Sequence, residues 1–297
     1  MAFQRYLAEE VAIDHVDGVI SRREALRRLG LLGLGVPAAS ALLAACGGDG
    51  DEAGSAATTA TTGAAASGPA VETEAVTFPG PEGRTLQGAW AAAGQLGGAV
   101  LVIHENRGLT DHIRSVAGRL AASGYSALAI DLLSAEGGTA ALGDEAAAMA
   151  ALSSAPQERF VADMRAGLDE LERRAPDQKL AAIGFCFGGG MVWTLLAAGE
   201  PRLAAAAPFY GPLPEEADFS GSPNAAVLGV YAEQDDRVNA SRDAATAALE
   251  RAGLTHEIVT YPGVNHAFFN DTGARYDQAA AAQAYQKVLD WFGQHLA

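Results

Sequence analysis

Cys186 is the residue with the strongest claim to chemistry in this chain. It lies in segment 179–191, K-L-A-A-I-G-F-C-F-G-G-G-M, where an apolar run suited to a buried parallel strand meets the cysteine, three glycines and a helical pattern from Met191. The cysteine therefore falls on a sharp strand-to-helix turn. Gly184 and Gly188 flank it as G-x-C-x-G, because a turn this tight brings neighbouring backbone too close for side chains at those positions. Such a turn leaves the thiol pointing out of the sheet. Amide groups at the N-terminus of the following helix, together with the positive end of its dipole, favour a thiolate and can bind a developing oxyanion. A lone cysteine between two phenylalanines is ordinarily a buried structural residue; the glycine spacing turns the reading towards a nucleophile.

A nucleophile needs a base and an orienting acid. After a strand at 257–261 come Pro262-Gly263-Val264-Asn265-His266, and after a strand at 227–231 come Ala232-Glu233-Gln234-Asp235-Asp236-Arg237. Nucleophile, acid and histidine follow one another in the order used by α/β-hydrolases. His266 would take the thiol proton and later protonate the leaving group, while Asp235 would hold the imidazole tautomer. Asp236 is the rival acid; Asp235 is preferred because it lies nearer the strand end. A third strand exit, after 99–103, carries His104-Glu105-Asn106-Arg107-Gly108. Taken alone, Glu105 there could equally cap the next segment or pair with Arg107. His15, His112, His256 and His295 have no comparable placement and read as solvated or structural. Tyr210, at another strand exit, is a pocket-lining candidate, and Trp193 reads as packed core.

The elements that must position these groups alternate. An antiparallel hairpin at the start of the domain (strands 72–78 and 85–92 around Pro79-Gly80-Pro81-Glu82-Gly83) precedes strands at 99–103, 126–130, 180–185, 203–209, 227–231 and 257–261. Between or after them fall helical patterns at 113–122, 144–152, 157–174, 240–252 and 276–295. The alternation predicts an α/β fold with a doubly wound, mostly parallel sheet, in which reactive groups collect at the carboxyl ends of strands.

The chain has 297 residues, 49% of them apolar, and a formal net charge of -16. It is long enough for one large core, and with no basic cluster outside the N-terminal region nucleic acid is an unexpected partner. No Cys/His spacing suits a metal, His104-Glu105 lacks a second histidine at the metalloprotease spacing, and no cofactor motif occurs. The chain has two cysteines, Cys46 and Cys186, in dissimilar surroundings, which makes a structural disulfide an improbable use for them.

Residues 1–46 resemble an export signal. Ser21-Arg22-Arg23-Glu24-Ala25-Leu26 precedes an apolar run from Leu29 to Ala45, as in a twin-arginine signal, and Leu43-Ala44-Ala45-Cys46 resembles a lipobox with Cys46 as the lipidated residue. An uncleaved anchor or an amphipathic helix is the alternative. The low-complexity stretch 47–70 reads as a tether. The expectation is an exported protein, lipid-anchored on the outer face of the cytoplasmic membrane, or periplasmic or secreted, with its catalytic domain at 71–297.

H-E-N-R-G-L at 104–109, H-I-R at 112–114, G-Y-S-A-L-A-I-D-L at 124–132, G-F-C-F-G-G at 184–189, Y-G at 210–211 and the histidine loop together resemble the dienelactone hydrolase family over about residues 71–297. The resemblance implies an α/β-hydrolase domain with a Cys186, His266, Asp235 triad. It further implies that Glu105 contacts the resting thiol and helps to deprotonate it, and that the backbone N–H groups of Phe187 and Asn106 form the oxyanion hole. Two arginines that hold the substrate carboxylate in family members acting on carboxylate-bearing lactones are missing: Asp131-Leu132 is followed by Leu133-Ser134-Ala135, and Asn270 stands four residues beyond His266. The expected activity is hydrolysis of a carboxylic ester or lactone, neutral substrates being favoured unless Arg107, Arg237 or Arg275 replaces the lost charge. The alternatives are a thioesterase or general small-acyl esterase, and a non-catalytic tethered binding lipoprotein.

Overall fold

The computed structural model describes residues 2–46, 70–95 and 97–297, so most of the stretch read as a tether lies outside the described residues. Its centre is an eight-stranded sheet in the order β1-β2-β4-β3-β5-β6-β7-β8. The strands are β1 (Glu74–Pro79), β2 (Thr85–Ala91), β3 (Ala99–Ile103), β4 (Ser126–Asp131), β5 (Leu180–Phe185), β6 (Leu203–Phe209), β7 (Ala226–Ala232) and β8 (His256–Tyr261). β3, β4, β5 and β7 are buried at every position, as continuous apolar runs covered on both faces must be. The expected hairpin is present, β1 pairing antiparallel with β2, and β2 in turn pairs antiparallel with β4. All later pairings are parallel.

β4 lies on one side of β3 and β5 on the other, so the winding reverses at β3. In an open α/β sheet the crevice beyond the carboxyl ends of the strands at such a reversal is where ligands bind. The segments leaving β3 and β5, with Glu105 and Cys186, flank that crevice.

The covering helices are α4 (Asp111–Ala122), α5 (Glu145–Ser154), α6 (Gln157–Arg174), α7 (Phe187–Ala197), α9 (Arg242–Arg251) and α10 (Gln278–His295), with a single turn, α8 (Asp236–Asn239), after β7. Side-chain caps account for two of the departures from the periodicity. Asp277 accepts from the Ala280 amide (2.8 Å) and starts α10 two residues later than expected. Asp235 accepts from the Val238 amide (3.2 Å), creating α8 where a loop was expected.

The N-terminal segment is also folded. α1 (Ala2–Val16), α2 (Arg22–Leu31) and α3 (Val36–Cys46) pack on one another, and α1 and α2 rest against α5. Leu7, Val11, Ala12, Ala25 and Leu29 are fully buried. Arg27 pairs with Asp144 (2.5 Å) and Arg28 with Glu145 (3.3 Å), joining α2 to the start of α5. The alternation that marks α1 as amphipathic is weak in sequence, since its buried face mixes Leu7 and Val11 with Glu10 and Asp14. Sequence alone gave it no partner to pack on.

Candidate active site

Cys186 occupies the turn between β5 and α7 with φ 56 and ψ -117, a backbone conformation that L-residues seldom adopt and that surrounding structure must enforce. The neighbouring glycines are required as expected. A Cβ at Gly184 would stand 2.2 Å from the Gly188 carbonyl oxygen, and one at Gly188 would stand 2.3 Å from that of Ile103. The Cys186 amide donates to the Phe209 carbonyl oxygen (3.1 Å), tying the turn to β6. Phe187 opens α7 and Asn106 follows β3, so the two residues assigned to the oxyanion hole lie on strand exits bordering one crevice.

His266 and Asp235 come together from the segments after β8 and β7. The imidazole Nδ1 lies 2.5 Å from Asp235 Oδ2, both groups being buried. Asp236 is exposed on the first turn of α8, so the geometry selects Asp235. One oxygen of Asp235 accepts from the Val238 amide and the other faces His266, a two-point hold that fixes the carboxylate. Tyr210 presents its ring edge-on to His266 at 5.0 Å but is fully buried behind the crevice rather than lining it, and Trp193 stacks on Phe219 inside the core. Cys186 Sγ, a ring nitrogen of His266 and a carboxylate oxygen of Glu10 lie within 4.8 Å of one another.

Glu105 is buried at this crevice, but its hydrogen bond is neither a helix cap nor a pair with Arg107. Asn270 Nδ2 donates to Glu105 Oε2 at 2.6 Å, and Arg107 turns instead to Glu145 at 3.1 Å. The residue standing in place of a missing arginine thus orients the acid. His104 positions the same loop: its Nδ1 lies 2.6 Å from the Glu105 carbonyl oxygen, and its Nε2 accepts from the Leu132 amide at 3.1 Å. That pattern requires a neutral ring protonated on Nδ1, and burial lowers the His104 pKa accordingly. His112 is structural, with Nδ1 2.7 Å from Asp271 Oδ1.

Two site neighbours come from an element that carried no site residue in the sequence reading. Tyr6 Oη of α1 lies 3.5 Å from Cys186 Sγ. Glu10 Oε1 lies 3.3 Å from His266 Nε2, within ion-pair reach although outside hydrogen-bond geometry. Arg237 bonds Glu10 Oε2, donates to the Tyr6 carbonyl oxygen (3.2 Å) and stacks 4.0 Å from the Tyr6 ring centre. Arg275 holds Asp14 (2.9 Å) and Asp17 (2.8 Å). The signal that could have found them is the four-residue spacing of Tyr6, Glu10 and Asp14, which puts one aromatic and two acids on one helix face.

These charges set the protonation of the site. Burial alone would lower the His266 pKa, but the carboxylates of Glu10 and Asp235, then Cys186, carry it well above the ordinary imidazole value. Burial, then Glu10, pushes the Cys186 thiol up, against the pull of His266. Burial would raise the Asp235 carboxyl, but His266, by charge and hydrogen bond, holds it below the usual carboxylate range. The surroundings favour the charged imidazole, flanked by two carboxylates, and the neutral thiol beside it. Glu10, Cys186 and His266 also form a cluster of potential metal ligands, with the Arg237 guanidinium as a competing cation on Glu10.

A model of the dienelactone hydrolase family matches residues 88–296. A protein of Salmonella typhi provisionally named carboxymethylenebutenolidase is 34% identical over 208 residues, covering 66% of this chain and 77% of that protein. One of the same provisional name from Escherichia coli K12 is 33% identical over 208 residues, covering 66% and 76%. The crystal structure of a protein from Klebsiella pneumoniae subsp. pneumoniae MGH 78578, provisionally named dienelactone hydrolase, superimposes with a TM-score of 0.65 at 31% identity, covering 75% of this chain and 99% of that one. The helices α1 to α3 lie outside the residues matched by the family model.

Proposed function

The chain belongs to the dienelactone hydrolase family and is a carboxylic ester hydrolase, and on that premise we propose that it cleaves an ester or lactone by covalent catalysis at Cys186. The observation that carries the reading is the Asp235-oriented His266 beside a cysteine on a strained strand-to-helix turn. His266 Nε2 takes the thiol proton as Cys186 Sγ attacks the carbonyl carbon, and the Phe187 and Asn106 amides hold the oxyanion. Collapse of the tetrahedral adduct expels the alcohol, protonated by His266, and leaves a thioester on Cys186. Water, deprotonated by the same imidazole, releases the acid and restores the thiol. Glu105, aimed by Asn270, assists thiol deprotonation once a substrate is in place. The assembled pair of Asp235 and His266 favours catalysis over the binding-lipoprotein alternative, while small thioesters remain chemically accessible to the same machinery.

Arg275 lines the catalytic crevice and Arg237 reaches the carboxylate beside His266, so each can replace the charge missing at 133 and 270. This favours a substrate carrying a carboxylate on the part that faces α8 and the loop 270–276, against the neutral preference that the missing arginines suggested. The test combines two measurements. Full-length protein given p-nitrophenyl butyrate in excess should release nitrophenolate at a low basal rate and accumulate a butyryl thioester on Cys186 by peptide mass spectrometry, both lost in Cys186→Ala. Then kcat/KM is compared for a dienelactone and its methyl ester. Release that persists in Cys186→Ala refutes the mechanism, and a methyl ester preferred tenfold over the free acid refutes the arginine assignment.

For the residues up to Cys46, the reading proposed is a twin-arginine export segment followed by lipid attachment at Cys46, placing the domain on the outer face of the membrane. It is supported by Arg22-Arg23 and by Leu43-Ala44-Ala45-Cys46. No helix among the described residues is long and apolar enough to cross a membrane.

A further inference from the structure

We propose that the mouth of the catalytic crevice is a docking surface for the chain's own helix α1, and that α1 seated there holds the hydrolase latent. The inference rests on the hydrolase reading of Cys186 and His266, and concerns what now occupies the place of the substrate.

A substrate carbonyl must reach Cys186 Sγ, and its leaving group must reach His266 Nε2. Both positions are taken. Tyr6 Oη stands 3.5 Å from the sulfur and Glu10 Oε1 stands 3.3 Å from Nε2. Cys186 is 3% exposed and His266 2% exposed. The cavity left beside them, lined in part by Glu10, Asp14, Glu105 and Arg275, is about 40 Å³, whereas small-molecule sites run from about 300 Å³ upward. A water molecule fits there and an ester does not.

The surface is matched to its occupant in charge. Leu7 and Val11 are fully buried on the same helix that delivers Tyr6 and Glu10. The acids of α1 and of the turn after it meet two arginines from the catalytic domain. Arg237 takes Glu10 and also lies 4.0 Å over the Tyr6 ring, and Arg275 takes Asp14 and Asp17. Asn265, next to the catalytic histidine, donates to Asp17 at 3.3 Å. The contacts thus converge on the reacting atoms and on the groups that border them. The Glu10 carboxylate, 3.3 Å from Nε2, also stands where the leaving group would have to be protonated.

Two full-length variants test this. Leu7→Asp/Val11→Asp places carboxylates on the buried face of α1, and Asp14→Lys/Asp17→Lys sets like charge against Arg275. Cys186 alkylation by iodoacetamide at pH 7.5 and p-nitrophenyl butyrate turnover are followed together, with the thermal melt as the check on folding. Each variant should accelerate both readouts at least tenfold while the cooperative melt of the domain persists; the charge-reversal pair, nearer the surface, reads out if the core pair fails to fold. Alkylation unchanged or slower in a folded variant overturns the latch. Faster alkylation without turnover keeps the latch and refutes the hydrolase mechanism.

Discussion

Replacing Glu10 by glutamine removes one charge from the catalytic imidazole while keeping the side-chain volume. The carboxylate oxygen stands 3.3 Å from His266 Nε2, a separation at which two unit charges interact by ~5 kcal/mol at an effective dielectric of ~20. Arg237 already shares the Glu10 carboxylate, so about half of that, ~2.5 kcal/mol, remains in favour of the charged imidazole. Histidine ring nitrogens are followed by NMR against pH in the wild type and in Glu10→Gln, with His266→Gln to assign the resonance. The His266 titration should move down, because Glu10 is the largest of the charges that raise it. Because its folded pKa is raised, the stabilisation from this contact is fully present below the ordinary histidine value and is lost as the pH rises through the elevated one. The wild type should therefore melt above Glu10→Gln near pH 6, and the gap should narrow at alkaline pH to what the lost Arg237 pairing leaves. A His266 titration unchanged by the substitution, or a gap that widens with pH, would refute the reasoning.

Asp235→Asn, which keeps the shape but lets the imidazole turn to the wrong tautomer, should lower kcat by about two to four orders of magnitude. Asp236→Asn should leave it within about twofold, as expected of an exposed group; equal losses would overturn the assignment. In the native host, Cys46→Ser should shift the protein from the membrane to the soluble fraction and remove a lipid mass increment, and an unchanged distribution would exclude lipid attachment there.

The catalytic half of the molecule was legible because its signals are local. β3 and β5 are unbroken apolar runs, and the glycines around Cys186 announce a turn that tolerates no side chain. Asp235 was preferred over Asp236 for lying nearer the end of β7; the helix turn on which it closes while facing His266 was not visible in the sequence. Glu105 was harder. Its orienting partner, Asn270, is 165 residues away, and the hold of His104 on Leu132 joins the exits of the neighbouring strands β3 and β4. α1 was the least legible element. Acids and apolar groups share its buried face, which makes sense only against a surface carrying Arg237 and Arg275. The apolar run 29–45 carried the same ambiguity, because the composition of an export segment is also that of a small packed helix such as α3.

α1, α2 and α3 form one uninterrupted stretch of chain that ends at Cys46. If the peptide bond before Cys46 is the one cut during lipid attachment, a single cleavage detaches the helix that delivers Tyr6 and Glu10 and fixes the address of what remains. The enzyme would then behave as a zymogen whose activation is timed by its delivery, silent where it is made and competent where it is anchored. Arg237 and Arg275 would change partners at that moment, from the acids of a departing helix to the anion of an arriving substrate.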